Sequence, residues 1–146
     1  MPLRKPTTAP DRVELLTKVS LFSECNKKEL AQIAAATRET NVASGTVLVE
    51  QGARGDQFFV LAEGLAWVSI DGKKVASIKP GSFFGEMALL DQGPRTATVT
   101  AELPSRLLVL DARSFAALVK ENPSVALKIM RGLAERLRAA EATPTH

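Results

Sequence analysis

The chain has 146 residues, 45% hydrophobic and 24% charged, with a formal net charge of +3, the makeup of one soluble domain large enough to bury a core. Cys25 is the only cysteine and the terminal His146 the only histidine, which rules out an internal disulfide, metal centres built on several His or Cys ligands, and Ser-His-Asp or Cys-His catalysis. The basic residues, among them Arg4, Lys5, Lys27, Lys28, Arg95, Arg136 and Arg138, are scattered rather than interleaved with aromatics, which argues against a nucleic-acid partner.

Met1–Pro10 holds three prolines and two threonines and reads as a disordered tail over residues 1–10, too polar for a signal peptide. No later run reaches the ~18 apolar residues of a membrane span. A cytoplasmic protein with no membrane insertion is expected, and a lone Cys25 fits a reducing compartment as a bystander thiol. Residues 11–38 read as N-terminal helices. Asp11 is placed as the cap of the first, with Val13, Leu15, Leu16 and Val19 as its apolar positions. Asn26-Lys27-Lys28-Glu29 reads as a capping box for the second, with Leu30, Ile33 and Ala34 inward.

From Glu39 to Asp111 the texture turns to short β-rich runs: Thr46–Glu50, Gln57–Glu63, Leu65–Ile70, Lys74–Ile78, Thr96–Ala101 and Arg106–Leu110. Regularly spaced glycines between them suit an antiparallel sandwich or barrel. Asp71-Gly72 predicts a type I′ hairpin, whose two central residues need positive φ. Helices return over residues 112–140, the first capped by Asp111 and the second opened by Asn122-Pro123. The last helix carries Val125, Ala126, Ile129, Met130, Leu133 and Leu137 on one stripe, and Gly132 would weaken it in its middle. That helix either packs on the β-domain, closes over a ligand, or makes a homodimer contact; residues 141–146 read as a tail. No appended helix-turn-helix unit is expected.

The densest chemistry lies in Phe83-Phe84-Gly85-Glu86-Met87-Ala88-Leu89-Leu90 and Pro94-Arg95-Thr96-Ala97-Thr98-Val99. Backbone N–H groups after Gly85 suit a small anion, as helix N-termini do. Arg95 adds a planar fork of donors matched to phosphate. Glu86 repels phosphate but accepts hydrogen bonds from a sugar hydroxyl. Phosphate and sugar recognised side by side describe a nucleotide.

These two segments resemble the phosphate-binding cassette of cyclic nucleotide-binding domains. The resemblance extends to Leu21-Phe22, Gly45, Gln51-Gly52, Gly55-Asp56 and Gly64, so it covers about Leu21 to Leu137. It implies an α+β, mainly β fold: an eight-stranded antiparallel β-roll or jelly-roll barrel flanked by N-terminal and C-terminal helices, with the cassette at residues 83–97. It further implies that Arg95 pairs with the cyclic phosphate and Glu86 accepts from the ribose 2′-hydroxyl. Phe84, Gly85, Met87 and Ala88 would line phosphate and ribose, and Thr96 and Ala97 would sit beside the phosphate. Val68 or Val75, with Leu or Met side chains of the last helix, would pack on the base.

The expected function is a non-catalytic cyclic nucleotide sensor without a cofactor, moving its C-terminal helix on binding and passing the change to a protein effector. The ligand is cyclic AMP or cyclic GMP. Thr96 offers a hydroxyl to a guanine 2-amino group, but related domains with Thr take either base, and cyclic AMP is favoured. Two rivals remain: a small β-barrel enzyme on a phosphorylated substrate with Glu86 as base, and a degenerate β-roll serving only as an interaction scaffold.

Overall fold

A computed structural model describes residues 7–142. Two helices, α1 (Ala9–Thr17) and α2 (Lys27–Ala36), precede the strands β1 (Arg38–Val42), β2 (Val47–Val49), β3 (Gln57–Glu63), β4 (Ala66–Ile70), β5 (Lys73–Ile78), β6 (Phe83–Phe84), β7 (Thr98–Ala101) and β8 (Ser105–Asp111). Helices α3 (Ala112–Glu121) and α4 (Pro123–Ala142) follow. The strands form two four-stranded sheets, ordered β1-β8-β3-β6 and β2-β7-β4-β5, antiparallel throughout. The fold is therefore mainly β, as expected, but the sheets form a roll with free edges at β1, β6, β2 and β5 rather than a closed barrel.

Strands β3 and β8 explain why two cores form. Along β8 every residue from Ser105 to Leu110 is buried, so this strand is covered on both faces. Successive side chains alternate sides. Leu107 and Val109 join Phe59 and Leu61 of β3 between the sheets. Leu108 and Leu110 join Phe58 and Val60 in the second core, under Leu16, Leu30, Ile33, Phe115, Val125 and Ile129 of the helices. The inter-sheet core shapes the interior of the roll; the helical core fixes α1, α2, α3 and α4 to its outside.

Local chemistry sets the ends of the elements. Asn26 accepts from the Glu29 N–H at 2.9 Å while Glu29 Oε1 accepts from the Asn26 N–H at 2.9 Å, the capping box the sequence predicts. Asp111 accepts from the Ser114 N–H at 2.7 Å, and Asp71 (φ +52°) with Gly72 (φ +82°) makes the expected hairpin. Helix α1 differs: Thr8, not Asp11, is its cap, and Ala9 and Pro10 are already helical. A proline in the first helical turn loses no bond, since its N–H would have no partner there, so Pro10 begins the helix rather than ending a tail. Residues 1–6 and 143–146, including His146, lie outside the described residues.

Helix α4 is fixed near its start by a buried polar knot. Glu29 accepts from Ser124 Oγ at 2.7 Å and from Lys128 Nζ at 2.9 Å. The Asn26 N–H, Lys128 and Ser124 hold its carboxyl down at about 2. Asn122 does not cap α4 with its side chain; its amide donates to the Leu118 carbonyl at 3.1 Å, closing α3. Gly132 is buried against a 3₁₀ turn over Ser20–Phe22, where an added Cβ would lie 3.2 Å from the Leu21 carbonyl oxygen and 3.4 Å from that of Ser20. Its smallness serves close packing of α4. Burial, followed by the charge of Glu29, pushes the Cys25 thiol up, which disfavours a reactive thiolate.

Candidate functional site

The cassette is aimed by aromatic packing. Phe84 stacks on Phe59 with centroids 4.9 Å apart, and Phe83 meets Phe58 edge-on at 6.0 Å, anchoring β6 to β3. Gly85 then takes a left-handed conformation (φ +79°) and opens a 3₁₀ turn over Glu86–Leu89. The Ala88 N–H donates to the Gly85 carbonyl at 3.0 Å, so of the early N–H groups those ahead of it are the ones a 3₁₀ turn leaves without an internal acceptor. Ala88 and Leu89 point into the protein and hold the turn down.

Arg95 reaches the site from the opposite side. Its backbone pairs with a neighbouring loop: the Arg95 N–H donates to Ala53 O, and the Gly52 N–H to Arg95 O, each at 2.8 Å. Its Nη2 donates to the Gln57 carbonyl at 2.8 Å. Two glycines make room for the guanidinium. A Cβ on Gly55 would fall 2.6 Å from Nη2, and one on Gly85 would fall 2.7 Å from Nη1. Burial lowers the Arg95 pKa, opposed by the charge of Asp56, yet a guanidinium stays protonated in a protein. Among the described residues Arg95 makes no ion pair. It is a half-buried cation held ready by one carbonyl.

Two cavities meet at this side chain. One, of about 330 Å³, lies between Gly85, Glu86, Met87 and Ala88 and the segment Gly93, Pro94, Arg95 and Thr96, with Asp91 also on its wall. The other, of about 160 Å³, is lined by Val49, Val68, Phe84, Gly85, Arg95, Thr96, Ala97 and Val99. Gly85, Arg95 and Thr96 belong to both. Of the residues singled out in the sequence, Phe84, Gly85, Glu86, Met87, Ala88, Arg95, Thr96, Ala97 and Val68 thus converge. Val75 does not. Val68 pairs with Ala76 and Ser69 with Lys74, leaving Val75 as the extra residue of a bulge on an edge strand, 56% exposed.

The structure adds residues for which no place in the site was expected. Val49 and Val99 enter the smaller cavity through the β2–β7 pairing, and Asp91 places a second carboxylate on the larger one. Arg136 of α4 approaches Glu86, Nη1 to Oε1, at 3.4 Å. Beside that contact, Met87 faces Leu133, Leu137 and Ala140 across an open groove of about 450 Å³. Met130, read on one stripe with Val125 and Ile129, is 58% exposed while those two are buried. A groove of about 530 Å³ between α1 and α2 is lined mainly by alanines, with Pro10 and Val13. Its one cation, Arg12, donates to Thr37, so it offers no comparable grip on an anion.

The described residues contain no group of three metal-ligating side chains and no helix long and apolar enough to cross a membrane. The chain is 36% identical over 130 residues to a cyclic nucleotide-gated potassium channel of Mesorhizobium japonicum, covering 89% of this chain and 36% of the channel. It is 36% identical over 103 residues to the cAMP-dependent protein kinase type II regulatory subunit of Drosophila melanogaster, covering 70% of this chain and 27% of that one. It therefore spans about a third or less of these two relatives. Among solved structures, the N-terminal domain of a transcriptional regulator from Streptomyces coelicolor matches with a TM-score of 0.80 at 30% identity, over 87% of this chain and 92% of that one. The family model for the cyclic nucleotide-binding domain matches residues 39–122, and the chain belongs to that family.

Proposed function

We propose that this domain is a non-catalytic sensor that binds a 3′,5′-cyclic nucleotide at the junction of the two cavities and reports it through α4. The observation that carries the reading is Arg95, a half-buried guanidinium that makes no ion pair among the described residues, wedged between Gly55 and Gly85. A cyclic phosphodiester is a monoanion, so one guanidinium and a few N–H groups balance it. Glu86, whose side chain is 15% exposed, accepts the ribose 2′-hydroxyl. Gly85, Met87, Ala88 and Ala97 line the sugar-phosphate, and Val68 with the apolar wall around it meets the base. Thr96, exposed where the cavities join, stands beside the phosphate.

The ligand is coupled to α4 because Glu86 is shared. Arg136 sits on the same carboxylate that the ribose uses, so a bound nucleotide and the Arg136 contact favour different positions of the helix. An effector protein, or a second copy, reads that position. Cyclic AMP is the preferred base. Its support is the likeness to the cAMP-dependent kinase subunit.

Calorimetric titration with cyclic AMP and cyclic GMP, side by side, tests the reading. Arg95→Ala is expected to weaken binding by about 2–5 kcal/mol, the cost of removing one member of a desolvated charge pair, with little change in stability. Unchanged affinity overturns the phosphate assignment. Nucleotide hydrolysis that disappears in Glu86→Gln overturns the non-catalytic reading.

A further inference from the structure

Helix α4 has a second apolar stripe that is open along most of its length, only its far end, Leu137, sharing a groove with Met87. Leu127 is 47% exposed, Met130 58% and Leu137 65%. With Ala134, also exposed, they recur at the three-and-four spacing of a coiled-coil seam. Val125 and Ile129, which meet the helical core, lie about 100° or more around the helix from Leu127, Met130 and Ala134 at ~100° per residue, while Leu133, packed against the edge of that core, borders the stripe. The exposed stripe is therefore surplus to the packing of α4 on its own domain.

Its flank carries charge of one sign. Arg131 and Arg138, seven positions apart and both exposed, border the stripe. Neither makes an ion pair among the described residues, although Glu135 lies between them in the sequence. On the opposite flank stand Leu133 and Ala140. An antiparallel second copy would set these arginines against each other. A parallel copy would face them with Leu133 and Ala140, which hold no carboxylate.

We infer that this face of α4 docks an amphipathic helix of a partner protein, with apolar residues at heptad spacing and Asp or Glu along the edge that meets Arg131 and Arg138. The apolar seam supplies affinity and the two arginines select the partner by charge. Leu127, Met130, Arg131 and Arg138 line neither of the two cavities that meet at Arg95.

The test titrates three labelled synthetic helices, each roughly three heptads long, into the full chain. The first has Leu at the seam positions and Glu beside them, the second has Lys in place of each Glu, and the third scrambles the first. The Glu helix is expected to bind at least about tenfold more tightly than either control. Arg131→Glu with Arg138→Glu should exchange the preference between the Glu and Lys helices. Leu127→Gln with Met130→Gln should reduce binding about tenfold or more, with circular dichroism unchanged in both variants. The inference is overturned by equal binding of the helices or by no binding of the Glu helix. It is overturned equally by self-association that Leu127→Gln with Met130→Gln dissolves, or by tighter adsorption to phosphatidylserine vesicles than to the Glu helix.

Discussion

The two ends of α4 are held by the same kind of pair in different surroundings. Near its start, Lys128 reaches Glu29 at 2.9 Å, with side chains only 24% and 7% exposed. Near its far end, Arg136 reaches Glu86 at 3.4 Å, with exposures of 44% and 15%. The first carboxylate also accepts from Ser124 and from the Asn26 N–H, whereas Arg136 is the one side chain seen to meet the second among the described residues. Enclosure and shared hydrogen bonds make the near pair part of the fold, because a buried charge cannot lose its partner cheaply. Water and a long, single contact make the far pair exchangeable. A helix with one committed end and one exchangeable end suits a signal that must move without unfolding the domain.

Breaking the committed end should cost most. Glu29→Ala removes the capping box and strands Lys128 and Ser124, and is expected to lower stability by about 3 kcal/mol in chemical denaturation at neutral pH. Acid should do part of the same. The Glu29 carboxyl falls from 4.5 to about 2 in the folded protein, so its contribution is complete above pH 4.5 and disappears as the pH drops towards 2. Stability curves over that range should therefore converge for the native chain and Glu29→Ala. Parallel curves would mean that Glu29 is not the anchor.

The middle of the helix gives a smaller effect whose sign is informative. Alanine at 132 would gain about 1 kcal/mol of helix propensity if α4 were loosely attached there. Its Cβ, however, would press on the Leu21 and Ser20 carbonyl oxygens at 3.2 and 3.4 Å. We expect Gly132→Ala to destabilise by about 1 kcal/mol net, measured by thermal unfolding. A rise in Tm would show that the glycine softens the helix rather than seating it, and the committed segment would then end before residue 132.

What could be read from the sequence follows the same division between local and distant causes. Asn26 with Glu29, Asp111 with Ser114, and Asp71-Gly72 act over three residues or fewer, so their chemistry was visible in order along the chain. The cassette was legible because Gly85, Glu86 and Arg95 are close in sequence and come together at two adjoining cavities. Val49, and the place of Val99 in the cavity wall, were not, since both depend on which strands pair. Val75 looked like Val68, and only the bulge in β5 sends it outward. Arg136 lies fifty positions from Glu86, and one arginine in a basic helix carries no mark of its partner. The exposed stripe was hidden too: Met130 and Leu137 were read with Val125 and Ile129 as one stripe, although the helix turns them apart.

The smallest expected effect is the one that ties the exchangeable end to the ligand. Arg136→Gln leaves Glu86 in place and removes its cation, which costs the fold little because the pair is long and open to water. The nucleotide then no longer competes with α4 for the carboxylate. Affinity for cyclic AMP should rise about two- to fivefold, the scale of an exposed ion pair of up to about 1 kcal/mol, while Glu29→Ala at matched folding should not raise it. Added salt should narrow the difference between the native chain and Arg136→Gln, since screening weakens the same contact. An unchanged affinity would sever α4 from the ribose site. A lower affinity would mean that Arg136 holds the nucleotide itself, and the far end of α4 would then be a grip rather than a latch.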